Sequence, residues 1–290
     1  MLVAMPTELT VLTLALACAQ PRPAASERPS PSAVPGPSTA PSSAGLPTSA
    51  SSTDPSSELA ATSGAPIASS APTTREPGPF SIEFLPKRSA YVVAARDATR
   101  PARLIAMLHG LCNPPEYACG LWEPSAPALG FLICPAGDGS CGKAQYDAPT
   151  WIEGDAEIDA DLERAIARTV EVFPDAIERD DAVLCGFSRG AYVAVKIATA
   201  HPGRWPYLVL NEANVTLSVD QLRAAKVRAV ALIAGEFGGQ IVAERATVAR
   251  LQKAGFPARF WPMPKAGHWY SDDIARIMTE SIDFVTSVPE

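Results

Sequence analysis

The segment Gly186-Phe187-Ser188-Arg189-Gly190 sets one serine between two glycines, each two positions away, where an apolar run gives way to a stretch with helical apolar spacing. A nucleophile elbow stands its serine on a sharp strand-to-helix turn that exposes the hydroxyl, and small residues two before and two after it keep neighbouring backbone clear. Negative charge developing there is favoured by the start of the helix. A serine hydroxyl also needs a base within reach, and the chain has 3 histidines. His201, in Ala200-His201-Pro202-Gly203, closes the helical stretch and reads as a capping or solvated group. His109 ends an apolar run, and its side chain reads as structural. His268, in Pro264-Lys265-Ala266-Gly267-His268-Trp269, lies between a short apolar run and the last helical stretch.

Such groups must be held by a scaffold, and the apolar pattern describes one. Short runs at Tyr91–Ala95, Leu104–Leu108, Phe131–Cys134, Ala182–Gly186, Tyr207–Leu210, Ala229–Ala234 and Arg259–Trp261 read as strands. Several are continuous rather than alternating, as strands buried on both faces are. Between them Glu157–Val172, Arg189–Ala200, Val219–Ala225, Ile241–Ala254 and Ser271–Thr286 repeat apolar residues every three or four positions. Strand and helix therefore alternate, which predicts a mostly parallel sheet of about eight strands with helices on both faces. Phe80–Leu85 and Tyr91–Ala95 predict an antiparallel opening hairpin.

Leu104-Ile105-Ala106-Met107-Leu108-His109-Gly110-Leu111 joins a strand to a His-Gly loop, and together with the serine turn it makes residues 80–290 resemble the α/β-hydrolase superfamily. Within it the chain is similar to compact secreted esterases, depolymerase-type and dienelactone-hydrolase-type members. The resemblance implies oxyanion-hole donors at the backbone N–H groups of Leu111 and Arg189. It also implies a chain order of serine, acid, histidine, which assigns the base to His268. Implied with it is hydrolysis of a carboxylic ester through an acyl-enzyme on Ser188, with no metal or cofactor and with a small-molecule or polymer ester as substrate.

The acid is where the pattern departs. Family members commonly carry Gly-x-x-Asp after the strand at Ala229–Ala234, and this chain has Gly235-Glu236-Phe237-Gly238, with glycine at the acid's place. Glu236 is adjacent and is the first candidate. Glu212, at the end of the preceding strand in Leu210-Asn211-Glu212-Ala213-Asn214, is the second. The third reading is that neither serves, and the chain is then a weak or inactive hydrolase fold acting as a surface binding module. Arg189 reads as a solvated arginine or as a partner for a substrate carboxylate. Trp269, Trp151 and Tyr146 read as packing or pocket walls. The acidic run from Glu153 to Asp161 reads as charge at a helix N-terminus.

Cys112, Cys119, Cys134 and Cys141 form two equally spaced pairs, each after a strand end, and predict the local disulfides Cys112–Cys119 and Cys134–Cys141, one of three connectivities. A zinc site would want shorter spacings. Cys185 reads as a buried free thiol.

All 20 aromatic residues lie at or after Phe80. Residues 19–79 contain 13 Pro, 14 Ser and 12 Ala among 61 positions, too little apolar surface to offset the entropy of ordering, so a disordered linker is expected. Its end-to-end distance would be on the order of 45 Å. Before it, the uncharged Leu9–Ala17 run is too short to span a membrane but suits an export signal. Leu14-Ala15-Leu16-Ala17-Cys18 resembles a bacterial lipobox, which implies lipidation at Cys18 and a membrane anchor for an exported protein. The net charge of -7 excludes a nucleic-acid binder working by bulk charge.

Overall fold

A computed structural model of the chain describes residues 77–97, 99–142 and 148–289. The export segment, Cys18, almost all of the linker and Tyr146 lie outside the described residues.

Among the described residues, ten strands and seven helices follow in order: β1 Phe80–Leu85, β2 Arg88–Val93, β3 Ala102–Leu108, α1 Pro115–Gly120, α2 Ala126–Leu129, β4 Phe131–Pro135, β5 Gly139–Ser140, β6 Pro149–Thr150, α3 Asp155–Val172, β7 Ile177–Phe187, α4 Arg189–Ala200, β8 Tyr207–Asn211, α5 Val219–Ala224, β9 Ala229–Gly235, α6 Ile241–Lys253, β10 Ala258–Met263 and α7 Ile274–Thr286. Eight strands form one sheet in the order β1-β2-β4-β3-β7-β8-β9-β10, and β5 and β6 make a separate ribbon. β1 and β2 form the expected antiparallel hairpin, β2 pairs antiparallel with β4, and the pairs from β4 to β10 are parallel.

Alternation along the central strands divides the core. Leu104, Ala106 and Leu108 of β3 face one side with Leu162 and Ile166 of α3, Ala194 of α4 and Leu251 of α6. Ile105 and Met107 face the other with Trp122, Ala126 of α2 and Ile277 and Ile282 of α7. Both faces are thus covered, which is why β3, β4, β8 and β9 tolerate no polar alternation.

Register brings the strand ends together. Leu108 pairs with Gly186, Gly186 with Leu210, Phe187 with Asn211, and Gly235 with Met263. The loops after β3, β7, β8, β9 and β10 therefore leave from one edge, beside the point where strand order reverses from β4-β3 to β3-β7. In an open parallel sheet a crevice forms at such a place.

The disulfides differ from the expected pairing. Cys112 is joined to Cys141 and Cys119 to Cys134, with Cα–Cα distances of 5.5 and 6.7 Å. The reason is α1, a short helix opening on Pro114-Pro115 that the apolar pattern does not reveal. It carries Cys119 onto the sheet face, where Cys119 and Cys134 are fully buried in the same core. Cys112 stays in the exposed turn after β3 and meets Cys141 beyond β5. With four cysteines in disulfides, none is left as a zinc ligand, and Cys185 is buried and free. Disulfides persist in oxidising compartments, which fits an exported protein.

Candidate active site

The turn from β7 into α4 is shaped by close backbone approach. A Cβ on Gly190 would lie 2.0 Å from the Leu108 carbonyl oxygen, and one on Gly186 would lie 2.5 Å from the Ala191 nitrogen. Glycine at both positions lets α4 start directly against β3. Ser188 between them takes φ 51° and ψ -118°, a conformation a residue with a side chain rarely adopts. Strain of this kind costs about 1–3 kcal/mol and persists where surrounding contacts over-determine it. Here the Ser188 N–H donates to the Asn211 carbonyl at 2.8 Å, tying the turn to the end of β8.

His268 reaches Ser188 from the loop after β10. In the tautomer with its proton on Nδ1, Nε2 accepts from the Ser188 hydroxyl at 3.0 Å and Nδ1–H donates to Glu212 Oε2 at 3.1 Å. The Glu212 side chain is fully buried, and its Oε1 accepts the Gly235 N–H. Burial raises its pKa, while the Gly235 and His268 donors oppose that by favouring the carboxylate. Glu212 also takes a left-handed backbone, φ 55°, which turns the chain out of β8. The imidazole itself is half exposed.

Glu236, the first candidate for the acid, does not meet His268. Its Oε2 accepts the Lys265 N–H at 3.1 Å in the exposed loop before the histidine. The turn after β9 aims it there: Glu236 N–H donates to Met263 O, Phe237 N–H to Ala266 O and Gly238 N–H to Gly235 O. Gly238, with no side chain, leaves the space that Glu212 enters from β8.

The remaining sequence candidates separate cleanly. His109 is buried, its Nδ1–H donating to Gly110 O at 2.7 Å and its Nε2 accepting the Gly137 N–H at 2.9 Å. Burial lowers its pKa to about 4, so it is a neutral structural group. Trp151 stacks on it and donates Nε1–H to the His109 carbonyl at 2.7 Å, so Trp151 is packing rather than pocket wall. His201 pairs with Asp159 at 2.5 Å on the exposed side of α3 and α4. Arg189 turns to Asp155 at 3.4 Å, and Asp155 also takes Lys196 at 2.5 Å. The acidic run thus opens α3, with Asp155 and Glu157 in its first turn.

The Arg189 N–H is the first of α4, one of the helix-terminal donors with no intrahelical acceptor, and Leu111 lies in the turn after β3. Gly110 packs under the serine, since a Cβ there would lie 3.4 Å from Ser188 Cβ. Ser188 and His268 open into a cleft of about 410 Å³ whose walls include Leu111, Tyr117, Phe187 and Trp269. Tyr117 stacks on Trp269 with ring centroids 4.9 Å apart. Tyr117 escapes sequence reasoning because α1, which carries it, has no periodicity long enough to read.

No protein-family model and no curated protein sequence matches the chain. Solved structures do. The S-formylglutathione hydrolase of Staphylococcus aureus is similar at 13% identity and TM-score 0.50, covering 69% of this chain and 92% of its own. Esterase PE8 is similar at 19% identity and TM-score 0.50, covering 67% and 99%. A ferulic acid esterase is similar at 14% identity and TM-score 0.52, covering 70% and 94%. The sheet order, the helices on both faces and these likenesses agree: the described domain has the α/β-hydrolase fold.

Proposed function

We propose that the protein is a serine hydrolase that cleaves carboxylic esters through an acyl-enzyme on Ser188. The observation that carries this reading is the unbroken line of hydrogen bonds from Ser188 Oγ to His268 Nε2 and from His268 Nδ1 to Glu212 Oε2, opening into a cleft. Ser188 Oγ attacks the ester carbonyl carbon and gives its proton to His268 Nε2. The imidazolium is stabilised by the buried Glu212 carboxylate, which also holds the ring in the tautomer the attack requires. The oxyanion is received by the backbone N–H groups of Leu111 and Arg189. His268 then returns the proton to the departing alkoxide, releasing the alcohol. Water attacks the acyl-enzyme with His268 again as base, and collapse returns the Ser188 hydroxyl and releases the carboxylic acid.

The rival reading, a binding module with a retired site, was motivated by glycine at 238; Glu212 at 3.1 Å from His268 favours the hydrolase reading over it. The two disulfides favour export, and with Cys18 as a lipid attachment site the linker would stand the domain off a membrane surface.

Labelling with a fluorophosphonate probe tests the reading. The wild type is expected to label, Ser188→Ala and His268→Ala are not, and Glu212→Gln is expected to label slowly. Folded wild-type protein that neither labels nor hydrolyses a nitrophenyl ester would overturn it.

A further inference from the structure

A second buried carboxyl stands behind Glu212 without touching the histidine. Glu244, in the first turn of α6, is 1% exposed. Its Oε1 accepts the backbone N–H of Ala213 at 2.8 Å, and its Oε2 has no hydrogen-bond partner among the described residues. Burying a carboxyl is costly unless it is neutral or paired, so a surface helix would ordinarily place an apolar residue here. Val248 and Leu251, also buried on α6, are apolar, and Thr247 is the uncharged third.

The bond from Ala213 lands at a sensitive point. Ala213 is fully buried and follows Glu212, whose φ of 55° is the bend that takes the chain out of β8 and turns its side chain under His268. On one side of that bend the Glu212 N–H is held by Ile233 O at 2.8 Å. On the other the Ala213 N–H has left the strand ladder, and Glu244 supplies its acceptor. The left-handed conformation of a residue with a long side chain is unfavourable by itself and persists where both flanks are pinned.

We propose that Glu244 is a positioning residue for the proposed hydrolase site: by gripping the Ala213 N–H it fixes the bend at Glu212, and with it the bearing of the Glu212 carboxylate on His268. The inference rests on the serine-hydrolase reading for its kinetic consequence, though not for its geometry. Burial, with the nearby Glu212 charge adding to it, raises the Glu244 pKa to about 9. At neutral pH Glu244 is therefore an uncharged acid. It serves as a hydrogen-bond acceptor and does not compete with Glu212 for the imidazolium.

The test compares Glu244→Gln, which keeps a neutral acceptor at the same reach, with Glu244→Leu, which keeps bulk and removes the acceptor. In full-length protein Glu244→Gln is expected to keep kcat within about twofold of wild type. Glu244→Leu is expected to lose roughly 10- to 100-fold in kcat with KM nearly unchanged, the pattern of a misplaced acid rather than a lost binding contact. The downfield proton resonance of His268 Nδ1–H should persist in Glu244→Gln and shift or vanish in Glu244→Leu. Should Glu244→Leu fail to fold, Glu244→Asp shortens the reach by one methylene and is expected to lower kcat in the same way. Full kcat and an unmoved resonance in Glu244→Leu or Glu244→Asp would overturn the proposal, as would Glu244→Gln losing as much as Glu244→Leu. If the wild type shows no Ser188-dependent turnover the hydrolase reading falls, and the resonance alone then decides for or against Glu244.

Discussion

A Cβ on Gly238 would stand 3.1 Å from Glu212 Oε2. The position after β9 where an acid is expected and the carboxylate delivered from β8 thus occupy adjoining space, and a side chain at 238 would crowd the Glu212 carboxylate. The carboxylate that meets His268 comes from the end of β8 and not from the turn after β9.

This assignment separates the two glutamates. Glu212→Gln is expected to lower kcat by about 10³- to 10⁴-fold, by analogy with removal of the triad charge in a serine protease. Glu236→Gln should leave kcat within about twofold, because its carboxylate caps Lys265 in an exposed loop. Steady-state ester hydrolysis by both variants checks this, and the reverse order of effects would return the role to Glu236.

Shared space makes a transplant testable. Gly238→Asp alone places a second carboxylate against Glu212 and should cost roughly tenfold or more in kcat, since adjacent like charges cannot both stay ionised. In a Glu212→Ala background the same Asp faces a vacated site and should raise turnover above that of Glu212→Ala. Additive losses in the double variant would show that an acid cannot be supplied from this turn.

The disulfides should separate by function. Cys119–Cys134 is buried in the core and closes a 15-residue separation, so its removal should cost about 3 kcal/mol of stability and lower the melting temperature. The Cys112–Cys141 bridge has Cys112 exposed, lining the cleft next to Leu111, and Cys141 half-buried. Mild reductant should open it first and lower kcat before the melting transition moves. Thiol mapping alongside activity checks the order.

Stability should be level across mildly acidic solution and fall on either side. His109 stays neutral down to about pH 4, whereas an exposed histidine takes a proton near 6.5, so its contribution is lost as pH drops from 6.5 towards 4. Glu244 keeps its proton up to about pH 9 while the unfolded chain releases it near 4.5, so its contribution is lost as pH rises from 4.5 towards 9. Between about 4.5 and 6.5 the two slopes oppose each other and cancel, leaving an alkaline limb above and an acid limb below. Each slope is about 1.4 kcal/mol per pH unit at most. Thermal unfolding across pH 4 to 9 measures both. Glu244→Gln should flatten the alkaline limb, and His109→Gln, which keeps an acceptor for Gly137, the acid limb.

Much of this was written in the apolar pattern. The continuous runs at Leu104–Leu108 and Ala229–Ala234 and the helical spacing of Arg189–Ala200 correspond to β3, β9 and α4 nearly residue for residue, because strands and helices covered on one face or both leave long periodic signals. That Ser188 and His268 meet was legible through glycine spacing and chain order. Which glutamate meets His268 stayed open between Glu236 and Glu212, and the disulfide pairing was missed. Both depend on which way a short irregular piece turns: α1 carries Cys119 to the sheet face, and the bend at Glu212 sends its side chain under His268. A six-residue helix and a single positive φ carry no periodicity, so only long-range packing decides them.

Delivery of the carboxylate from β8 has a consequence for how the site can be remade. The turn at 236–240 carries exposed Phe237 and also Gly239, around which a side chain would meet nothing within 4 Å. With Glu212 reaching His268 from β8, the hydrogen bonds of the proposed site ask for no side chain at 239 or 240. Under the hydrolase reading, residues inserted there would alter what approaches the domain while the backbone bonds of Glu236 and Phe237 to the loop before His268 stay in place, a modularity that a chain keeping its acid in that turn does not possess.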